Sequence, residues 1–393
     1  MIALDLSRLL SRTRCTTPTG IDRVELAYAR HLIGGSAPYC FAARNPLGRI
    51  GLLPAALSRQ FVAGLGALWR DGAVSGRQQR LATLAWRLRL ATVFGERALH
   101  DTLRDSVGGP VYLSVSHQNL DRALSIARLK AATGARFLCL IHDLIPLEFP
   151  DLTRPGQTRR HQRRIETVAA LADAVITNSA ATRDALLERL RTEPQQPPVA
   201  VAPLGIDLPD VPTLAEEPPY FVCIGTIEAR KNHRLLLDLW RRLAVELGDP
   251  TPRLILIGQR GFGGERIADA LQTLRGRVIE RADLSDTAMA ALLRGARALL
   301  LSSLAEGFGL PVVEALASGV PVLCSDLPAL RESGGNVPDY LDPLDTEAWH
   351  RAVLDYASES PRRQAQLDHL KRWRPPCWAT HFAIVERLID ELC

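Results

Sequence analysis

Long apolar runs are missing from this chain. Nowhere in its 393 residues does a run approach the roughly 18 apolar residues a spanning helix needs, so no such helix is expected. The start, Met1-Ile-Ala-Leu-Asp-Leu6, has no basic segment leading into a long apolar one. It reads as the first strand of a sheet and not as a signal peptide. Cysteine is sparse: seven residues, odd in number and widely scattered, with no zinc spacing and no dense framework. That excludes a disulfide-stapled secreted domain and points to a reducing cytoplasm. No internal repeat stands out at periods of about 20 to 50 residues. No Gly-Lys-Ser/Thr loop is present, so a phosphate-loop nucleotide site is excluded. Recognition helices, zinc fingers and interleaved basic and aromatic residues are also absent, so nucleic acid is not an expected partner.

What is present is a globular composition, 47% hydrophobic and 23% charged, at a length that suits two domains. Strands and helices alternate through both halves, which argues for parallel sheets covered by helices on both faces. Expected strands of the first half are Ile2–Leu6, Ala37–Ala42, Val111–Val115, Phe137–Ile141, Ala174–Thr177 and a short Val199–Ala202. A helix is expected over Ile21–Leu32, and one or two basic amphipathic helices over Ala55–Leu103. Proline-rich and acidic residues then mark a hinge. The second half continues with Tyr220–Ile224, Arg253–Ile257, Val278–Ile279, Ala298–Leu301 and Val320–Cys324. The expected organisation is an N-terminal domain over 1–202, a hinge over 203–219, a C-terminal domain over 220–375 and a last helix within 376–393.

Net charge is +5, and it is unevenly spread. Residues 1–200 carry 27 Lys and Arg against 16 Asp and Glu, and the rest of the chain is acidic. The excess is nearly all arginine, including Arg70, Arg77, Arg80, Arg87, Arg89, Arg97, Arg159, Arg160, Arg163 and Arg164. Such a face suits an anionic membrane or an acidic acceptor, or it is simply an arginine-rich solvated surface.

The most informative segment is Glu306-Gly-Phe-Gly-Leu-Pro-Val-Val-Glu314, between the apolar run Ala298–Leu301 and the strand Val320–Cys324. It reads as a glycine-rich turn leading into a helix, with Pro311 at the first helical position and Gly319 at the stop. Glu306 then lies at the carboxyl end of a strand, where open α/β sheets bind ligands. Glu314 lies about one turn into the helix. The helix start favours a phosphate, and the acceptor-only carboxylates suit the hydroxyls of a sugar and of a ribose.

This segment resembles the signature of the retaining nucleotide-sugar glycosyltransferases of family 4, which have the GT-B fold: two Rossmann-like doubly wound domains facing a cleft. The resemblance implies that Glu314 holds the ribose hydroxyls of the donor. It places Glu306 against the donor sugar, with the backbone N–H groups of Phe308, Gly309 and Leu310 nearby.

Other strand ends add candidates. Gly225-Thr-Ile-Glu-Ala-Arg230-Lys231-Asn232 closes one strand and opens a helix, with Asn232 as its expected N-cap. Arg230 and Lys231 are expected to neutralise a diphosphate and stabilise it as a leaving group. The segment also resembles the family's Gly-x-x-x-x-Arg-Lys phosphate site. By resemblance, His142 lies beside the donor sugar. Asp143 either orients that imidazole or caps the following turn. Thr19-Gly20-Ile-Asp-Arg23 stands where the family often has a glycine-rich turn, so Gly20 is a donor-binding candidate, with Arg23 toward the acceptor or a phosphate. The Ile257–Glu265 loop is placed near the nucleotide base, and the resemblance puts Arg281 and Leu284 on the rim of the base pocket. Asn178 and Ser179 either line the cleft or pack.

The reading is therefore a retaining hexosyltransferase. It takes a sugar, with mannose expected, from a nucleoside-diphosphate donor to a glycan or lipid-linked glycan acceptor in surface polysaccharide assembly. The catalytic set is His142, Glu306, Arg230 and Lys231. No Asp-x-Asp element of the metal-dependent sugar transferases appears, so no metal or other cofactor is expected. The place of work is the cytoplasm, at the inner membrane face. Two other classes stay open: a GT-B nucleotide-sugar epimerase, and a catalytically silent binding protein.

Overall fold

The structure, a computed structural model, describes residues 1–106, 108–212 and 219–392. Part of the expected hinge, residues 213–218, lies outside the described residues, as does Cys393. Two compact units are present: Met1–Leu147 with Gly156–Leu204 and Trp378–Cys393, and Glu148–Pro155 with Gly205–Cys377.

The first unit holds a seven-stranded sheet. Its strands are β1 (Ile2–Asp5), β2 (Tyr39–Arg44), β3 (Ile50–Leu53), β4 (Val111–Ser114), β5 (Arg136–Ile141), β6 (Ala174–Thr177) and β7 (Val199–Val201). Their spatial order is β3-β2-β1-β4-β5-β6-β7. All neighbours pair in parallel except β2 with β3. The helices between them are α1 (Ser7–Ser11), α2 (Gly20–Gly34), α3 (Ala55–Asp71), α4 (Arg77–Phe94), α5 (Glu96–Arg104), α6 (Ala123–Thr133), α7 (Ile145–Glu148), α8 (Gln157–Leu171) and α9 (Ala180–Leu190). The stretch expected to form one or two basic helices forms three. Gly72 and Gly76, both at positive φ, separate the first two, and Gly95 the next two. The antiparallel edge strand β3 was not expected. It is four residues long and contains Gly51, where a Cβ would sit 2.3 Å from the Thr92 carbonyl oxygen of α4.

The second unit holds a six-stranded, all-parallel sheet. Its strands are β8 (Tyr220–Ile224), β9 (Arg253–Ile257), β10 (Val278–Arg281), β11 (Leu299–Leu301), β12 (Val322–Ser325) and β13 (Asp339–Leu341), ordered β10-β9-β8-β11-β12-β13. Its helices are α10 (His233–Leu247), α11 (Ala268–Thr273), α12 (Asp286–Gly295), α13 (Leu310–Ala317), α14 (Pro328–Gly334), α15 (Thr346–Ala357) and α16 (Pro361–Leu370). Strand alternation splits the core into two layers. Phe221 and Cys223 face Trp240, Leu256 and Trp349, whereas Tyr220, Val222 and Ile224 face Ile255, Leu299 and Val312. A strand buried on both sides needs apolar residues throughout, and Tyr220–Ile224 supplies them. The edge strand β13, short and carrying Asp339, was not anticipated.

The last helix, α17 (Trp378–Leu392), packs on the first unit. His381 fixes it there. Its Nδ1 lies 3.0 Å from the Ala202 carbonyl oxygen and therefore donates, so Nε2, 2.7 Å away, accepts from the Tyr28 hydroxyl.

Candidate active site

In the second unit the strand order reverses between β8 and β11. Such a switch point opens a crevice at the carboxyl ends of the strands. The loops that leave those two strands carry Arg230–Lys231 and Glu306, and the structure bonds them. The Lys231 ammonium donates to Glu306 Oε1. Arg230 Nη1 donates to Glu306 Oε2 at 3.2 Å and to the Ala305 carbonyl at 3.1 Å. Arg230 Nε meets Glu228 at 2.7 Å, and the Ser303 hydroxyl donates to Glu306 Oε1 at 2.6 Å. Burial by itself would raise the Glu306 carboxyl. The charges of Lys231 and Arg230, with the Lys231 and Ser303 hydrogen bonds, reverse that and hold it at about 2. Glu306 is thus a firmly ionised carboxylate with little water around it.

Backbone geometry builds this arrangement. Gly225 follows β8 at φ +141°, and a Cβ there would lie 3.3 Å from Lys231 Cε. The glycine lets the lysine stem cross the strand end. Gly258 follows β9 at φ +149°, and its Cβ would lie 2.1 Å from the Gly225 carbonyl oxygen. The two loops are also tied directly: Leu304 N–H donates to the Arg230 carbonyl at 2.7 Å, and the Ser302 hydroxyl to the Lys231 carbonyl at 3.1 Å. Asn232 sits before α10 in the left-handed region, but its side chain donates to the Pro343 carbonyl at 3.0 Å. Asn232 holds the expected N-cap position of α10, but without the side-chain capping bond: its amide is oriented by its donation to the Pro343 carbonyl.

Gly309 precedes α13 at φ +94°, and Pro311 is the second helical residue, one later than expected. Glu314 is buried in the next turn, Phe308 is buried and Leu310 opens the helix. The helix stops in a Schellman arrangement: Gly319 N–H donates to the Leu316 carbonyl and Val320 N–H to the Ala315 carbonyl. Val320 is used there, so β12 starts at Val322. Arg281 ends β10, exposed, and its carbonyl accepts from Gly258 N–H at 2.9 Å. Leu284 packs partly into the layer beneath β8. A cavity of about 480 Å³ lies along the 227–241 segment, lined by Glu228, His233, Arg234 and Asp238 but not by Lys231 or Glu306.

His142 and Gly20 belong to the first unit. His142 follows β5 and is buried; its Nε2 lies 2.8 Å from the Val115 carbonyl oxygen, so that nitrogen carries the proton. Burial favours neutral imidazole and holds it at about 4, outweighing the Val115 carbonyl and Asp143. Asp143 caps the next turn, accepting from Ile145 N–H at 3.2 Å. Asn178 Nδ2 donates to the His142 carbonyl at 3.0 Å, and Ser179 caps α9 by accepting from Thr182 N–H at 3.1 Å. Gly20 is the exposed first residue of α2 and is not among the glycines at positive φ. The turn before it is organised by Asp22, which accepts from Thr19 N–H at 2.8 Å and from Arg8 Nε at 2.6 Å.

Sequence reasoning missed His117 and His161, which stand edge-on in a row with His142. It placed Arg164 on a solvated or partner-binding face. Arg164 is buried, with Nη1 3.2 Å from His161 Nδ1, because its helix turns that residue inward beside the histidine. Ser303 and Glu228 were also missed, and nothing local singles out either.

Residues 218–359 match the sequence family described as Glycosyl transferases group 1, and residues 112–209 the one described as Glycosyltransferase Family 4. The chain belongs to the family 4 glycosyltransferases. The O-antigen chain mannosyltransferase B of Escherichia coli is 34% identical over 147 residues, 37% of this chain and 38% of that protein. The serotype-specific mannosyltransferase WbdA of Escherichia coli is 28% identical over 224 residues, 51% of this chain and 27% of that protein. This chain thus spans well under half the length of those two relatives. Among solved structures, Anabaena Alr3699/HepE in complex with UDP-glucose superposes with a TM-score of 0.66 at 14% identity, covering 99% of both chains. That likeness shows the GT-B fold. Within the family frame, the paired Arg230, Lys231 and Glu306 lie at the strand ends of the C-terminal Rossmann-like domain.

Proposed function

We propose that this family 4 glycosyltransferase moves a hexose, mannose, from a nucleoside-diphosphate sugar to a hydroxyl of a glycan or lipid-linked glycan. It works with retention of configuration, in surface polysaccharide assembly. The observation that carries the reading is the pairing of two cations with one carboxylate at the β8/β11 switch point. The names of the mannosyltransferase relatives support the sugar, and UDP-glucose in the HepE complex supports the donor class.

In this reading Lys231 and Arg230 neutralise the diphosphate, aided by the amino end of α13. Glu314 holds the ribose hydroxyls. Glu306 engages the sugar. The bond from the anomeric carbon to the phosphate oxygen breaks as the acceptor oxygen attacks from the same face. The departing diphosphate takes the acceptor proton. Arg230, Lys231 and the helix end supply the charge a divalent ion would bring, so the rate should persist in a chelator.

Among the described residues no helix is long and apolar enough to cross a membrane. We place the enzyme at the inner membrane face, where a lipid-linked acceptor would be reached through the arginine-rich first half.

A transfer assay with a panel of nucleotide sugars and a polyprenyl-linked acceptor tests the reading. Glu306→Gln and Lys231→Ala should each lower turnover about 100-fold or more. Near-normal rates in both would overturn the assignment of roles.

A further inference from the structure

Helix α4 shows water a face that a helix in a monomeric soluble domain would normally bury. Trp86 is 62% exposed, Leu90 48%, Val93 38% and Phe94 82%. At 3.6 residues per turn these four share one side of the helix. The opposite side, Leu81, Ala85, Leu88 and Thr92, is buried. The helix is therefore apolar on two faces, one of them already partnered.

The charges complete the pattern. All 18 residues from Arg77 to Phe94 include no Asp or Glu. Arg80 and Arg87 flank the exposed stripe on one side; on the other stands Arg89, whose Nη2 donates to the Leu10 carbonyl at 2.5 Å. The acids at the helix ends are paired with other arginines: Asp71 with Arg77 at 3.5 Å and Glu96 with Arg49 at 2.7 Å. An aromatic and aliphatic stripe edged by arginines fits a helix that lies in the plane of an anionic lipid surface. Its rings would sit among the acyl chains, while the arginine stems reach up to the phosphates.

We propose that α4 is an interfacial helix that docks the enzyme on an anionic membrane through Trp86, Leu90, Val93 and Phe94. Arg80 and Arg87 bind lipid phosphates. The proposal deepens the acceptor reading above and rests on it for the choice of a lipid surface. It is tested by binding, separately from sugar transfer.

The full-length protein would be floated with phosphatidylcholine vesicles with or without phosphatidylglycerol. Salt would be about 0.1 M and about 1 M, between which the screening length falls from about 10 to about 3 Å. The expected result is binding to the anionic vesicles at low salt, much weakened at high salt and on phosphatidylcholine alone. Arg80→Gln with Arg87→Gln should cut partitioning about 30-fold, the equivalent of about 1 kcal/mol per arginine near the surface. Trp86→Glu with Phe94→Glu should abolish binding. Circular dichroism and donor hydrolysis should be unchanged in both variants. Either of two kinds of result, in binding or in assembly, would overturn the proposal. One is failure of the wild type, or equal binding by the Trp86/Phe94 variant. The other is a wild-type dimer that this variant turns into a monomer by sedimentation, which would make the stripe a contact between copies. Loss of sugar transfer with vesicle binding intact would instead count against the function reading alone.

Discussion

Glu306→Gln keeps the shape of the side chain and removes its charge. In the wild type that charge faces Lys231 and Arg230 with little water present. A folded value of about 2 against an ordinary 4.5 corresponds to about 3 kcal/mol at 1.36 kcal/mol per pH unit. Breaking a buried ion pair by removing one partner typically costs a similar 3–5 kcal/mol. Because the folded value is depressed, this stabilisation is fully present above about pH 4.5 and is lost as pH falls toward about 2. At neutral pH the variant should therefore melt about 6–12 °C lower, taking about 2–4 °C per kcal/mol for a domain of this size. Between pH 4.5 and 2 the two proteins should converge. Adding a nucleoside diphosphate should restore part of the loss, since its phosphates would give Lys231 a new anion. Differential scanning fluorimetry across pH, with and without nucleotide, reads all three effects. A variant that melts within a degree of the wild type at pH 7, with the same acid sensitivity, would refute the argument.

Three further perturbations have definite outcomes. Glu25 is fully buried, and burial, helped by Asp5, pushes its carboxyl up to about 8, so its contribution is fully present below about pH 4.5 and is lost as pH rises toward 8. Glu25→Gln should thus gain a few kcal/mol on the wild type between pH 5 and 8 in urea unfolding. Gly258→Ala drives a methyl into the Gly225 carbonyl at 2.1 Å and should cost more than about 3 kcal/mol or prevent folding, whereas Gly263→Ala, 3.5 Å from Ala229 Cβ, should cost only about 1 kcal/mol. His381→Ala strands the Tyr28 hydroxyl and the Ala202 carbonyl, so α17 should become protease-sensitive, with a loss of about 3 kcal/mol or more.

The sequence was legible where structure follows from neighbours along the chain. Tyr220–Ile224 is apolar without a break, so it is a buried parallel strand. Glycine, proline and a stop glycine around Glu306–Gly319 announce a turn and a short helix. Legibility failed where a residue answers to something distant. Asn232 has the right type and place for a cap, but Pro343 takes its amide. Arg164 looks like its solvated neighbours until His161 and the turn of α8 bury it. Gly258 is required by a carbonyl on the adjacent strand, and β3 is possible only because Gly51 makes room for α4.

The same limit applies to the two halves of the candidate site. Read as segments, Arg230–Lys231 and Glu306 suggest separate tasks, one toward a diphosphate and one toward a sugar. Seventy-five residues apart in sequence, Lys231 and Glu306 are in contact. The carboxylate therefore holds the cations that the proposed chemistry would aim at phosphate. This has a physical advantage. A buried lysine with no anion nearby would be costly to keep charged and free to swing. Paired with Glu306, and threaded past Gly225, it is fixed at the strand end. Binding a diphosphate would then exchange or share an anion, without ordering a loose side chain. Positioning entropy would already have been met in folding, which is the condition for strong charge stabilisation at the reacting bond.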